Sequence, residues 1–168
     1  IYQCDFFKES ESIVNIERSE NKKILKINYD TQSQIYSALI CSLQSYLKNN
    51  NFKKVIIGLS GGIDSASCLM IAVDALKSEN IKCFYLPTIY NSKQSEKDAY
   101  QLAKNLNVDI DTISIETLRK KTNSELKPFF HNKPQDVTEE NVQSRLRGLL
   151  LMSISNKFNS LLITTGNK

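Results

Sequence analysis

The stretch Lys53-Lys54-Val55-Ile56-Ile57-Gly58-Leu59-Ser60-Gly61-Gly62-Ile63-Asp64-Ser65-Ala66 reads as an apolar strand, a tight glycine turn and the start of a helix. Val55, Ile56 and Ile57 are a β-branched run, the pattern of a strand buried on both faces. Gly61 and Gly62 permit backbone conformations that a β-carbon forbids, and they let an anion come close to the main chain. Ser65 opens an apolar run that continues to Leu76. Unpaired N–H groups and the positive end of a helix dipole suit such a junction to phosphate. The order is not G-x-x-x-x-G-K-[ST], in which a lysine reaches the terminal phosphates. Asp64 beside a polyphosphate would repel it unless a divalent cation lay between them, so the loop predicts phosphate together with Mg²⁺. A glycine turn merely capped by Asp64 and Ser65 is the plainer alternative.

Upstream of this stretch, Ile35, Leu39, Leu43 and Leu47 recur every four residues and predict a helix over 32–48. Its stripe is expected to pack on the sheet that begins at Val55, with a dimer contact as the alternative. Residues 1–31 are mixed. Residues 24–27 could form a short strand, and the polar run before them has linker composition.

Downstream, residues 65–77 are apolar nearly all round and predict a deeply buried helix. Residues 82–86 read as a second strand, ended by Pro87. Residues 87–92 then form a loop at a strand's C-terminal end, where open α/β sheets bind ligands. Ser95 and Asp98 fit the N-cap and N3 positions of a helix with Ala99, Leu102, Ala103 and Leu106 on its inner face. Residues 108–115 are a third strand, and residues 116–127 a further helix. Pro128 and Pro134 bracket a loop holding His131, the only imidazole, for which the sequence offers no partner.

Asp136 or Thr138 caps a long helix with Glu139 and Glu140 in its first turn, where the dipole favours them. Val142, Leu146, Leu149, Leu150 and Ser153 are expected to be its buried stripe. Asn141 and Arg145 are four apart on another face, where an amide and a guanidinium could hold a carboxylate or phosphate, or simply be solvated. Residues 161–165 make a fourth strand. Alternating strands and helices predict an α/β fold, a doubly wound parallel sheet with helices on both faces and right-handed crossovers. Loops at Ser60, Pro87 and Thr165 would leave one sheet edge together.

With 168 residues the chain suits one domain and a short appendage. The net charge, 22 − 18 = +4, gives little reason to expect nucleic acid but would help attract a small polyanion. The apolar runs are too short to cross a bilayer, and no secretory signal layout is read. The four cysteines form no C-x-x-C pair, which argues against zinc and for reduced thiols in a cytoplasmic protein.

Gly58-Leu59-Ser60-Gly61-Gly62-Ile63-Asp64-Ser65 resembles the pyrophosphate loop of the N-type ATP pyrophosphatases. Three more stretches narrow the resemblance: residues 86–99 (LPTIYNSKQSEKDA), 138–147 (TEENVQSRLR) and 164–168 (TTGNK). Together they resemble the synthetase domain of glutamine-dependent NAD⁺ synthetases over residues 32–168. Residues 1–31 would then be the tail of a preceding nitrilase-like glutaminase domain and a linker. The resemblance implies a Rossmann-like fold of the adenine nucleotide alpha hydrolase kind. It also implies ATP-dependent amidation of deamido-NAD⁺ to NAD⁺ through an adenylate, with AMP and pyrophosphate released and ammonia drawn from glutamine.

By the same resemblance Gly58, Leu59, Ser60, Gly61, Gly62, Ile63, Asp64, Ser65 and Thr165 bind ATP, and Asp64 holds Mg²⁺. Asn141 and Arg145 face deamido-NAD⁺, and the protein is a homodimer. The family's second acidic metal ligand and its later lysines follow the Gly166-Asn167-Lys168 segment, so the chain is read as a fragment. Cys4 lacks the context of the glutaminase nucleophile. The rivals are another pyrophosphate-loop ligase, such as a GMP synthetase, and a nucleotide-binding fragment without activity.

Overall fold

The computed structural model describes residues 30–131 and 133–166, together with residues 6, 7, 9, 11 and 13. The short strand expected at 24–27, Cys4, Asn167 and Lys168 lie outside them. Among these residues the α-helices and strands follow in order: α1 (Thr31–Asn49), β1 (Val55–Gly58), α2 (Ile63–Ala75), β2 (Ile81–Tyr85), α3 (Lys93–Asn105), β3 (Asp109–Thr112), α4 (Glu116–Leu126), α5 (Val137–Lys157) and β4 (Leu161–Ile163). The strands form one parallel sheet in the order β3-β2-β1-β4. The chain therefore walks outward from β1 to β3 and then crosses back to the other side of β1. That reversal puts a topological switch point between the C-terminal ends of β1 and β4.

Both sheet faces are covered, as the β-branched run in β1 requires. On one face Val55, Ile57, Leu59, Ile81, Cys83 and Tyr85 pack against Leu69 and Ala72 of α2 and Ala99 and Ala103 of α3. On the other, Ile56, Phe84 and Leu86 pack against Ile115, the N-cap of α4, and Leu151 of α5. Burial pushes the Cys83 thiol up to about 12, so this cysteine behaves as a small apolar residue.

Several boundaries differ from the sequence reading. α3 begins earlier than expected because Ser92, rather than Ser95, is its cap; the Ser92 hydroxyl accepts from the Ser95 N–H at 3.0 Å. β2 ends at Tyr85 and β3 at Thr112. Their pairing persists beyond the strands, with the Ile113 N–H on the Tyr85 carbonyl and the Ile115 N–H on the Pro87 carbonyl. At the N-terminus of α5 the capping box is complete. Asp136 accepts from the Thr138 N–H at 2.8 Å, and Glu139 accepts from the Asp136 N–H at 2.9 Å.

Burial corrects three helix faces. In α1 only Leu43 and Leu47 reach the core, whereas Ile35 and Leu39 are 56% and 47% exposed. The helix lies on α2, not flat on the sheet: the Tyr36 hydroxyl donates to Asp74 at 2.7 Å and Gln44 Nε2 to the Ala75 carbonyl at 3.0 Å. α2 is buried along Ser65, Leu69 and Ala72, while Met70 faces outward. α5 buries Leu151 and Ser155, with Leu150 and Ile154 beside them; Leu149, expected inside, is 61% exposed. A helix apolar on several faces does not declare which face meets the sheet, and α5 is of that kind.

Candidate functional site

β1 delivers the chain to the switch point, and the glycine turn is built there by two hydroxyls. Ser65 Oγ donates to the Gly62 carbonyl at 3.0 Å and accepts from the Ser60 N–H at 3.2 Å. The Ser60 and Ser65 hydroxyls meet at 3.0 Å, and the Gly62 N–H donates to Ser60 Oγ at 3.2 Å. Gly61 takes φ +81°, inside the region that favours glycine. Gly62 is the N-cap of α2 and supplies no side-chain cap. The first-turn N–H groups of Ile63, Asp64 and Ser65 therefore open α2 without a side-chain acceptor among the described residues, the arrangement that receives an anion. Asp64 sits in that first turn with an exposed side chain.

The turn borders a cleft of about 420 Å³. From the end of β1, its loop and the start of α2 come Gly58, Leu59, Ser60 and Ser65; from the end of β2 and just beyond, Tyr85 and Leu86; from the end of β4 and just beyond, Ile163, Thr164 and Thr165. Asn91 closes one side, and Ser144, Arg147, Gly148 and Leu151 of α5 close another. The three loops expected to leave one sheet edge do converge. A hollow of about 460 Å³ at Ser124, Lys127, Pro128 and His131 lies under the bracketed loop, away from the strand ends.

Of the site residues read from sequence, Gly58, Leu59, Ser60, Ser65 and Thr165 line the cleft. Gly61, Gly62, Ile63 and Asp64 form the turn and first helical residues at its rim. Asn141 and Arg145 project from α5 as exposed side chains and are not part of the lining.

Arg147 was not singled out by the sequence reading, although it carries the cleft's positive charge. Its Nε donates to the Leu86 carbonyl at 3.0 Å. Among the described residues no carboxylate lies within ion-pair distance of it. Burial lowers its affinity for a proton, partly offset by Tyr85. The Tyr85 hydroxyl is raised, first by burial and then by Glu96. A sheltered guanidinium with one carbonyl partner has N–H groups to spare for a phosphate or carboxylate. The signal in the sequence was its spacing of four from Leu151, which marks the true inner face.

Three glycines shape the walls. A β-carbon on Gly61 would stand 2.2 Å from the Ser95 carbonyl oxygen, and one on Gly58 would stand 2.8 Å from Leu151 Cδ1. At Gly148 a β-carbon would meet nothing within 4 Å. A glycine inside a helix costs about 1 kcal/mol relative to alanine, and here no packing among the described residues asks for it. It leaves open space beside Arg147.

Residues 35–168 match the NAD synthase family. The glutamine-dependent NAD(+) synthetase of Rhodobacter capsulatus is 49% identical over 135 residues, which are 80% of this chain and 24% of that protein. The glutamine-dependent NAD(+) synthetase of Acinetobacter baylyi is 41% identical over 170 residues, 99% of this chain and 31% of that protein. The solved glutamine-dependent NAD+ synthetase from Acinetobacter baumannii, a complex with adenosine diphosphate, superposes with TM-score 0.81 at 42% identity, covering 83% of this chain and 26% of that one. The chain thus spans about a quarter to a third of the length of these relatives. Sheet order, glycine turn and the family match over most of the residues agree, and the chain belongs to the NAD synthase family.

Proposed function

We propose that the protein carrying this chain makes NAD⁺ by ATP-dependent amidation of deamido-NAD⁺, and that the cleft at the β1/β4 switch point is its ATP site. One observation carries the reading: the Ser60–Ser65 hydroxyl pair, Thr165 and the half-buried Arg147 line one cleft, with the open first turn of α2 at its rim. These are donors and a cation, the equipment for a polyphosphate whose terminal part leaves. The nicotinate carboxylate oxygen attacks the α-phosphorus and pyrophosphate departs with its electron pair. Ammonia then attacks the acyl carbon, AMP leaves, and a proton is lost to give the amide.

In this scheme residues 58–65 hold the phosphates in line and Arg147 balances charge on the acceptor side. Asn141 and Arg145 bind deamido-NAD⁺ from α5. Mg²⁺ fits the site's chemistry, because an exposed carboxylate at Asp64 beside phosphate oxygens and water is how that ion is commonly held. When bound it would neutralise charge on the leaving pyrophosphate.

Glutamine as the ammonia source, homodimerisation and a cytoplasmic setting complete the proposal. In the same reading residues 1–31 are the tail of a glutaminase domain and a linker; the Acinetobacter baylyi relative aligns with 99% of the chain, so its match extends into these residues. Family membership disfavours a GMP synthetase-type ligase. The test is to incubate the natural full-length protein with ATP, Mg²⁺, deamido-NAD⁺ and ammonium. AMP and NAD⁺ are expected in equal amounts, and absence of NAD⁺ would overturn the reading.

A further inference from the structure

The turn of residues 88–91, which leads from β2 into α3, is fastened from within and from outside. Within it, Asn91 Oδ1 accepts from the Thr88 N–H at 2.8 Å and the Thr88 hydroxyl at 3.1 Å. The Asn91 N–H donates to the Thr88 carbonyl at 3.2 Å, and the Tyr90 N–H to Thr88 Oγ1 at 3.3 Å. The outside fastening comes from the start of α4. The Ile89 N–H reaches Glu116 Oε2 at 3.5 Å, and the Arg119 guanidinium lies 5.2 Å from the centroid of the Tyr90 ring. Glu116 and Arg119 grip each other as a fork, Nε to Oε2 at 3.1 Å and Nη2 to Oε1 at 2.7 Å.

Burial distinguishes this pair from an ordinary helix-surface ion pair. Arg119 is 8% exposed beneath Tyr90, which is 65% exposed. A bidentate, sheltered pair holds its geometry far better than a solvated one. Hydrogen bonds from Arg119 hold the Glu116 carboxyl below the usual range, and the same bonds raise Arg119, so both stay charged at neutral pH. At the inner end of the turn Asn91 lines the cleft. The next residue, Ser92, caps α3, whose Ser95 carbonyl abuts Gly61. A line of contacts thus runs from α4 through the turn to the glycine loop.

We propose that the Glu116–Arg119 pair is a positioning element that fixes the turn of residues 88–91, so that Asn91 stands ordered at the cleft before nucleotide arrives; this rests on reading the cleft as an ATP site. A turn that had to order on binding would charge that entropy against affinity. An i,i+3 pair that only supported α4 would instead contribute to melting temperature and leave nucleotide binding alone.

The test uses Glu116→Gln, Arg119→Met and their combination in the natural full-length protein. Each single variant is expected to raise KM for ATP about five- to tenfold while changing kcat by less than about twofold. Hydrogen exchange at the Ile89 and Tyr90 amides should quicken, with the amides of α4 unchanged. The double variant should be no worse than the poorer single, because the two residues act as one unit. Arg119→Lys keeps the charge but loses the flat face and the fork, so it should behave like Arg119→Met. Unchanged KM for ATP in folded variants, or unchanged exchange at residues 89 and 90, would overturn the proposal. If the unsubstituted protein makes no NAD⁺, the ATP reading fails, and the exchange experiment alone decides whether the pair holds the turn.

Discussion

The carbonyl oxygen of Ser95 lies 2.2 Å from the place where a β-carbon would stand on Gly61, and Gly61 holds φ at +81°. Both conditions require glycine. The backbone strain alone costs an alanine about 1 kcal/mol or more, and the blocking atom is main chain that cannot swing aside. Gly61→Ala should therefore lower the melting temperature and raise KM for ATP by more than about tenfold, as the turn and α3 move apart. Gly62→Ala is the control: its β-carbon would meet only Ser60 Oγ, at 3.3 Å. Thermal melts and ATP kinetics on both should rank Gly61→Ala as the more damaging, and the reverse order would contradict the geometry.

Gly148 should give the opposite pattern. Alanine there adds helix propensity and touches nothing among the described residues. We expect Gly148→Ala to gain about 1 kcal/mol of stability and to bind substrates more weakly, since the methyl enters space beside Arg147. Calorimetric melting and substrate titration on the same sample would show the two trends diverging. A stabilised variant with unaltered binding would mean that the space is not used.

Arg147 should matter for binding more than for folding. Replacing it by methionine keeps the stem and removes the charge and the bond to the Leu86 carbonyl. Loss of a charge-assisted bond to ligand corresponds to roughly a ten- to hundredfold weaker Kd for nucleotide or acceptor. Isothermal titration should find this for Arg147→Met. Lysine should restore only part, because it lacks the planar fork.

The Tyr36–Asp74 bond makes stability depend on alkaline pH. Hydrogen bonding to Asp74 first, then burial, raises the Tyr36 hydroxyl from 10.0 to about 12. The folded chain thus keeps this proton more tightly than the unfolded chain does. The contribution is complete below pH 10 and is lost as pH rises through about 12. Melting temperature should therefore fall further between those values in the unsubstituted protein than in Tyr36→Phe. Parallel curves for the two would show that the bond contributes nothing.

Strand and turn at 53–66 were legible in the sequence because a β-branched run, two glycines and a polar helix start leave few alternatives. The parallel sheet followed from alternation, and the meeting of the Ser60, Pro87 and Thr165 loops followed from where strands end. Arg147 was not legible, because α5 carries apolar residues on several sides and its inner face is chosen by the sheet. Leu149 is read into the buried stripe and Leu151 is not, and packing reverses the two. The start of α3 at Ser92 was hidden behind Ser95, an equally good cap residue three positions later. The Glu116–Arg119 grip on Tyr90 was invisible for a different reason, since it joins residues brought together only by the β2–β3 pairing.

Gly58 also acts at a distance. Leu151 Cδ1 lies 2.8 Å from where its β-carbon would stand, so α5 packs on β1 through the tip of that side chain. Arg147 stands about one turn before Leu151, roughly 6 Å along the same rod. Any bulk added at position 58 must turn Leu151 in its packed site or lift the helix, and lifting draws Arg147 from the Leu86 carbonyl. The strand therefore acts as a gauge, and the helix carries its setting to the cation: the width of the binding space is specified by an atom that residue 58 does not have.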